Sequence, residues 1–390
     1  MNAHASWLQD RAARACAVAA QYSDQVDSDA RFPHEAIRAL KESKLLAILI
    51  PRDLGGEGAG LSDAAEICAM LGQNCASAAM VFAMHQIKTS SLVTHGVEND
   101  WHRTFLRRIA DEQLLLASAT TEGGGIGGNM RNSICAIERN QDRFTLQKDA
   151  SVISYATEAD AILVTGRRDP EAPASDQVMA VVLKDQYVLE KTGGWNTLGM
   201  RGTCSEGFIL KCSAPATQIL PKPFAEIAAQ SMLATAHILW SSLWYGIAAS
   251  AAQRAQGFVR AEARKKPGST PVGATRLTEA TSLLSLMKSS ILAAITRFEH
   301  AKLANDELNS IGFAIDMNNL KISASQLLND IVRESMMICG IMGYRNDSPY
   351  SLGRQMRDAM SAPLMINNDR ISGNTASLLL AHRLDPRLAS

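Results

Sequence analysis

The feature that most constrains this chain is a change in the period of its hydrophobic residues, which happens twice. From Ser6 to about Ala110 the apolar positions recur at three and four, as in Ile37, Leu40 and Leu45 and again in Ile67, Met70 and Leu71. That spacing predicts amphipathic helices. Pro33 suits a helix start, and the stretch Pro51 to Gly60 is a glycine-rich loop before a helix that opens near Ser62 and Asp63. From Leu114 the texture turns to short Val-, Ile-, Thr- and Phe-rich runs (LLLASATT, SICAIE, RFTLQK, DAILVTG, VMAVVLKD, GFILKC) divided by Gly, Asn, Asp and Pro. These predict the strands of a β domain. Past Pro223 the helical period returns, with helices expected over 224–264, 277–305, 313–342 and 349–365.

The expected organisation is therefore α+β and mainly α: a helical domain over 1–113, a β domain over 114–222 and a helical bundle over 223–390. Helices that long need one another's apolar faces, and the longest also carry subunit contacts in a homotetramer or homodimer.

Charge narrows the partners. Lys plus Arg and Asp plus Glu are 39 each, so no bulk positive field exists to hold nucleic acid or an anionic membrane. Seven scattered cysteines, none in CxxC spacing, suggest neither a disulfide framework nor a zinc site and fit a reducing cytoplasmic compartment. Asp10, Arg11 and Arg14 interrupt the N-terminal apolar pattern, which argues against a secretory leader. The most apolar stretch, Met232 to Ala252, contains His237, Ser241 and Ser242 and is expected as a buried core helix rather than a membrane span.

Five strings, and two shorter marks further on, sharpen the reading. Pro51–Gly56 with Gly58 and Gly60 resembles the PxxxGGxG loop of acyl-CoA dehydrogenases. Thr120, Thr121 and Glu122, followed by the run to Gly127, Gly128 and Asn129, resemble that family's TEPxxGSD segment, although Gly123, Gly128 and Asn129 replace its proline, serine and aspartate. Ser151-Val152-Ile153-Ser154 resembles the strand beside the flavin, with Val152 in place of the usual aromatic ring. Leu198 to Thr203 with Ser205 is similar to LGxRGTxS, and Arg264 with Gly268 to RxxFG, with Pro267 for the phenylalanine. Cys339 to Tyr344 and Arg357-Asp358 are similar to the GGxGY and RD marks, with Met337 and Ile341 as departures.

The resemblance spans essentially the whole chain. It implies an N-terminal helical domain, a middle β-barrel and a C-terminal four-helix bundle, with FAD held by Thr120, Thr121, Gly127, Gly128, Ile153, Ser154, Arg264 and Gly340. It also implies that Arg201 and Asn129 face the substrate. Backbone amides without a Cβ can approach a flat polar ring closely, and Arg264 offers a permanently charged fork to a pyrophosphate.

The family's base is a glutamate after RD. Counted without gaps, that position falls on Ile366; the alternative location, on the first helix of the last domain, falls near Ala236 and His237. A three-residue insertion places Asp369 there instead. The resemblance thus implies an FAD-dependent dehydrogenase acting on an acyl thioester of CoA or a carrier protein, with Asp369 as base and a flavoprotein as electron acceptor. The alternative reading is a monooxygenase of the same fold, using FMN from a partner flavin reductase and needing no such base. A flavin-fold protein without catalysis is the third reading.

Overall fold

A computed structural model describes residues 3–123, 130–304, 306–385 and 387. Gly127, Gly128 and Asn129, expected at the flavin and substrate, lie outside the described residues.

The N-terminal segment folds as α1 (Ala3–Ser28), α2 (His34–Glu42), α3 (Leu61–Asn74), α4 (Ala76–His95) and α5 (Asp100–Glu112). The sequence explains the burial of α4: the run ASAAMVFAMHQI has no strongly polar face, and residues on every side of this helix are buried. Helix α4 packs on the β region and on the C-terminal helices alike.

The strands are β1 (Leu116–Ala119), β2 (Glu138–Asn140), β3 (Arg143–Ile153), β4 (Ala161–Arg167), β5 (Gln177–Leu183), β6 (Tyr187–Gly193) and β7 (Glu206–Pro215). In place of one closed barrel, the described residues form two sheets, of order β1-β4-β5 and β2-β3-β7-β6. The pairing of β3 with β7 slips between Ala150 and Ile153. Such a bulge bends the strand and re-aims its side chains, here at the end that carries Ser151, Val152 and Ser154.

The C-terminal segment contains α6 (Phe224–Ile227), a π-helical turn at Ala228–Met232, then α7 (Leu233–Lys265), α8 (Gly273–Leu303) and α9 (Ile311–Cys339). It finishes with α10 (Ile341–Tyr344), α11 (Gly353–Ala359) and α12 (Asn368–Leu379). Three long helices and the shorter α12, which packs on α9, make the bundle. The helix expected over 349–365 shrinks to α11. Pro363 interrupts the chain beyond α11, and Ile366 has φ 46°, a left-handed backbone that a β-branched residue rarely adopts. The two helical segments are joined where α3 crosses α7: a Cβ on Gly72 would stand 2.3 Å from the Leu243 carbonyl oxygen, and one on Gly246 would stand 2.2 Å from that of Ala69. Glycine at both positions lets the backbones meet.

No described helix is long and apolar enough to cross a membrane. Helix α7 has the buried residues expected of a core helix.

Candidate active site

A cleft of about 590 Å³ opens between α4, the ends of β1 and β3, the loop 195–205, the head of α7 and the turn after α11. Its size is that of a typical cofactor or small-molecule site.

The β wall is hydroxylic. Thr120, Thr121, Ser154, Thr203 and Ser205 all line it. Thr121 Oγ1 donates to the Val152 carbonyl at 3.3 Å, so two strings far apart in sequence meet here. Ser154 Oγ lies 2.7 Å from Ser205 Oγ, which lies 2.9 Å from Thr203 Oγ1. Thr203 Oγ1 donates to the Met200 carbonyl at 2.9 Å, an oxygen that also accepts from Trp195 Nε1 at 3.1 Å. The three hydroxyls are thus locked in a chain that ends at the cleft surface. Ile153 is fully buried and turned into the core, so its main chain is the part placed beside Ser154.

The helical wall is apolar and rich in methionine, with Met80 and Met84 from α4 and Met232 from the π-helical turn. It also carries two polar groups that the sequence analysis passed over. Lys88 of α4 is 5% exposed, and its Nζ contacts Met232 Sδ at 3.2 Å. Burial pushes its ammonium down to about 7. Trp240 of α7 lines the cleft as well, and its buried Nε1 has no partner among the described residues. A lysine inside an otherwise apolar, all-round-buried helix was the signal that could have found the first of these.

The floor is set by the Arg357-Asp358 pair. Met200 N donates to Asp358 Oδ1 at 2.7 Å, and Arg357 Nε donates to the Leu198 carbonyl at 3.1 Å. Arg357 also pairs with Asp27 of α1. Burial raises the Asp358 carboxyl to about 6, opposed by the Met200 amide. These two marks therefore dock the 198–203 loop onto the bundle.

The remaining expected residues stand apart from this cleft. Arg201 donates to the carbonyls of Asp27 at 2.8 Å and Thr197 at 3.3 Å, and it is Arg357 that lines the cleft. Arg264 is exposed in the last turn of α7, and Gly340 caps α9 with φ 56°. Asp369 is exposed in the first turn of α12, whereas Ile366 faces the cleft. His237 is buried, with Nδ1 2.9 Å from the Met317 carbonyl oxygen. Among the described residues that line the cleft, none is an aspartate or glutamate.

The hydroxyl chain and the Thr121 contact suit the edge of a flat, polar, heteroaromatic ring. Comparison with known proteins gives the family. Residues 4–113 match the acyl-CoA dehydrogenase N-terminal domain and residues 227–366 the C-terminal domain. Cyclohex-1-ene-1-carbonyl-CoA dehydrogenase of Geobacter metallireducens is 24% identical over 354 residues, 89% of this chain and 90% of its own. Two solved structures share the fold. TdsC of Paenibacillus sp. A11-2, a dibenzothiophene monooxygenase, superposes in its complex with FMN and indole with a TM-score of 0.84 at 18% identity, covering 98% of this chain and 99% of its own. Butyryl-CoA dehydrogenase of Megasphaera elsdenii superposes with a TM-score of 0.76 at 19% identity, covering 96% and 98%. With both terminal domains matched and the cleft built between them and the β sheets, the chain belongs to the acyl-CoA dehydrogenase family and is a flavin-dependent oxidoreductase.

Proposed function

We propose that this protein is a monooxygenase that uses reduced flavin, FMN by preference, delivered by a partner flavin reductase. The observation that carries this reading is the absence of any carboxylate among the described residues that line the cleft. Removing an α-proton from an acyl thioester requires a base within reach, whereas oxygen insertion does not. Ile366 presents hydrocarbon at the ungapped position of the family's glutamate, and Asp369 points away on an exposed turn.

Thr120, Thr121 and Ser154 would hold the ring edge, with Ser205 and Thr203 fixing the Ser154 hydroxyl. When bound, reduced flavin supplies the two electrons with which dioxygen is divided between substrate and water. The chain's own work is to orient that ring and keep water away. The methionine wall suits this because a thioether side chain moulds to irregular ligands. TdsC, which carries FMN and indole in the same fold, supports the reading. Assembly into a homodimer or homotetramer belongs to it too: Leu286 and Leu292 of α8 are more than half exposed, and Arg264 would meet a cofactor phosphate across such an interface.

The second reading is FAD-dependent dehydrogenation of an acyl thioester on CoA or a carrier protein. The identity to a CoA dehydrogenase along 89% of the chain favours it, and Asp369 would then have to enter the cleft as base. One experiment separates the two. Protein given FMN, a flavin reductase and NADH is assayed with indole for incorporation of oxygen from labelled dioxygen, and protein loaded with FAD is mixed anaerobically with butyryl-CoA and octanoyl-CoA. Label in the organic product is expected. Bleaching of the bound FAD by a thioester overturns the oxygenase reading.

A further inference from the structure

We propose that Lys88 is a binding site for one anionic oxygen of the substrate, so that the cleft selects a largely apolar molecule bearing a single carboxylate or phenolate. The inference rests on reading this cleft as the substrate site, and it adds the class of substrate.

The argument starts from how this chain treats its other buried lysines. Lys148 Nζ meets the Glu122 carboxylate at 2.5 Å and the Thr165 carbonyl at 2.9 Å. Lys321 Nζ donates to the Ile366 carbonyl and to Asn368 Oδ1, both at 2.7 Å. Each is held by oxygen, as a structural ammonium must be. Lys88 is as deeply placed, yet among the described residues its one hydrogen-bonding contact is the Met232 thioether, a weak acceptor. It also lines the cleft, which neither of the other two does.

Among the described residues no neighbouring element supplies the missing charge. Burial alone accounts for the lowered affinity of the amine for its proton. The other titratable groups of α4 face elsewhere: His85 contacts the Leu46 carbonyl and the Leu116 amide, and His95 contacts Ser231. Helix α7 and the turn before it contribute Met232, Leu233, Ala236 and Trp240 to the cleft. Arg357, the second cation of the lining, is occupied by Asp27 and the Leu198 carbonyl. The π-helical turn matters here, because such turns widen a helix locally and often mark functional positions; this one sets Met232 against Lys88. An entering anion is therefore the counter-ion the amine lacks, and at alkaline pH its arrival draws a proton onto the nitrogen. Trp240 Nε1, also without a partner among the described residues, offers a neutral donor on the same wall.

Titration calorimetry of the purified protein at pH 8.5, in two buffers of different ionisation enthalpy, tests this with 1-naphthoate, 1-naphthol and neutral 1-naphthamide. Naphthoate or naphthol is expected to bind at least tenfold tighter than naphthamide, naphthoate with uptake of about one proton. The tighter of the two names the oxygen. In Lys88→Met, which replaces the amine by a side chain of similar shape, the preference and the uptake disappear while naphthamide affinity stays within twofold; Lys88→Gln behaves alike. Equal binding of all three probes, a preference that survives in both variants, or no binding by any probe overturns the proposal. Neither oxygen nor reduced flavin enters the titration, so its failure is distinct from failure of the oxygenase reading.

Discussion

Glu122 and Lys148 face each other at 2.5 Å with side chains 5% and 1% exposed, an ion pair shut away from water. The same carboxylate accepts from Ser133 Oγ, from Ile134 N and from Cys135 Sγ. Glu122 thereby ties the end of the Thr120-Thr121 segment to residues 133–135. Removing one partner strands the other charge, which costs about 3–5 kcal/mol, whereas replacing both by apolar side chains is close to neutral. Glu122→Gln is therefore expected to lower the unfolding free energy by about that amount in urea. Glu122→Gln combined with Lys148→Met, which keeps an oxygen acceptor for Ile134 N, should recover part of it. A loss below about 1 kcal/mol in the single variant contradicts the assignment.

Gly199 lies against the backbone of the RD pair. A Cβ there would stand 2.2 Å from the Arg357 carbonyl oxygen and 2.6 Å from Asp358 N. Because both obstacles are main chain, neither can swing aside. Gly199→Ala is expected to push the 198–203 loop off the bundle, at a cost of about 1–3 kcal/mol or more. Thermal melts and quenching of Trp195 fluorescence would read the change.

Both sites bear on how much of the molecule was legible in its sequence. Periodicity located both helical segments and the strands between them, because burial imposes its period directly on residue choice. The Thr120-Thr121, Ser151–Ser154 and Leu198–Ser205 strings, far apart in sequence, all contribute residues to one cleft wall. Two things were hidden. The division of the described strands into two sheets depends on pairing between strands distant in sequence, and no local pattern records that. Lys88 was hidden for a different reason: one lysine in an apolar run looks the same whether it snorkels to solvent or ends in a cleft, and only the packing of α4 on all sides decides.

Acid sensitivity arises from His85, His102 and His237, each buried and pushed down to about 4 by desolvation. For His85 the geometry adds a reason, since its Nδ1 accepts from Leu116 N at 3.1 Å and so cannot carry a proton without breaking that bond. A base with a lowered folded pKa binds more protons when unfolded, so stability falls as pH drops from 6.5 toward 4. Asp358, raised to about 6, works in the opposite sense by taking up one proton in the folded state as pH falls through 6. For these four groups together the net is about two protons between pH 6 and 4, or about 3 kcal/mol per pH unit. Urea midpoints across that range check it. A flat profile would show that the histidines are not buried neutral.

Ser154 is the hydroxyl where the Ser205 and Thr203 chain reaches the cleft. Under the proposed function, Ser154→Ala removes one hydrogen bond to the ring, worth about 1 kcal/mol, and weakens flavin binding roughly fivefold. Ser205→Ala is expected to act in the same direction but less strongly, since it only frees the Ser154 hydroxyl to rotate. Fluorescence titration with FMN measures both.

Asp369 separates the two functional readings by a single methodical substitution. It is exposed in the first turn of α12, where Asn367 Oδ1 accepts from its amide at 2.7 Å. A carboxylate at that end of a helix stabilises the exposed N–H groups by about 0.3–1 kcal/mol. If its role is only that, Asp369→Asn lowers the melting temperature slightly and leaves oxygen-dependent turnover within twofold of the parent. A base for α-proton removal behaves otherwise, because its amide cannot accept the proton and turnover then falls by about a hundredfold or more. Measuring both quantities on the same preparation matters. A stability change alone fits either role, whereas a collapse of turnover in a protein that melts normally would place Asp369 at the reacting carbon and return the chain to thioester dehydrogenation.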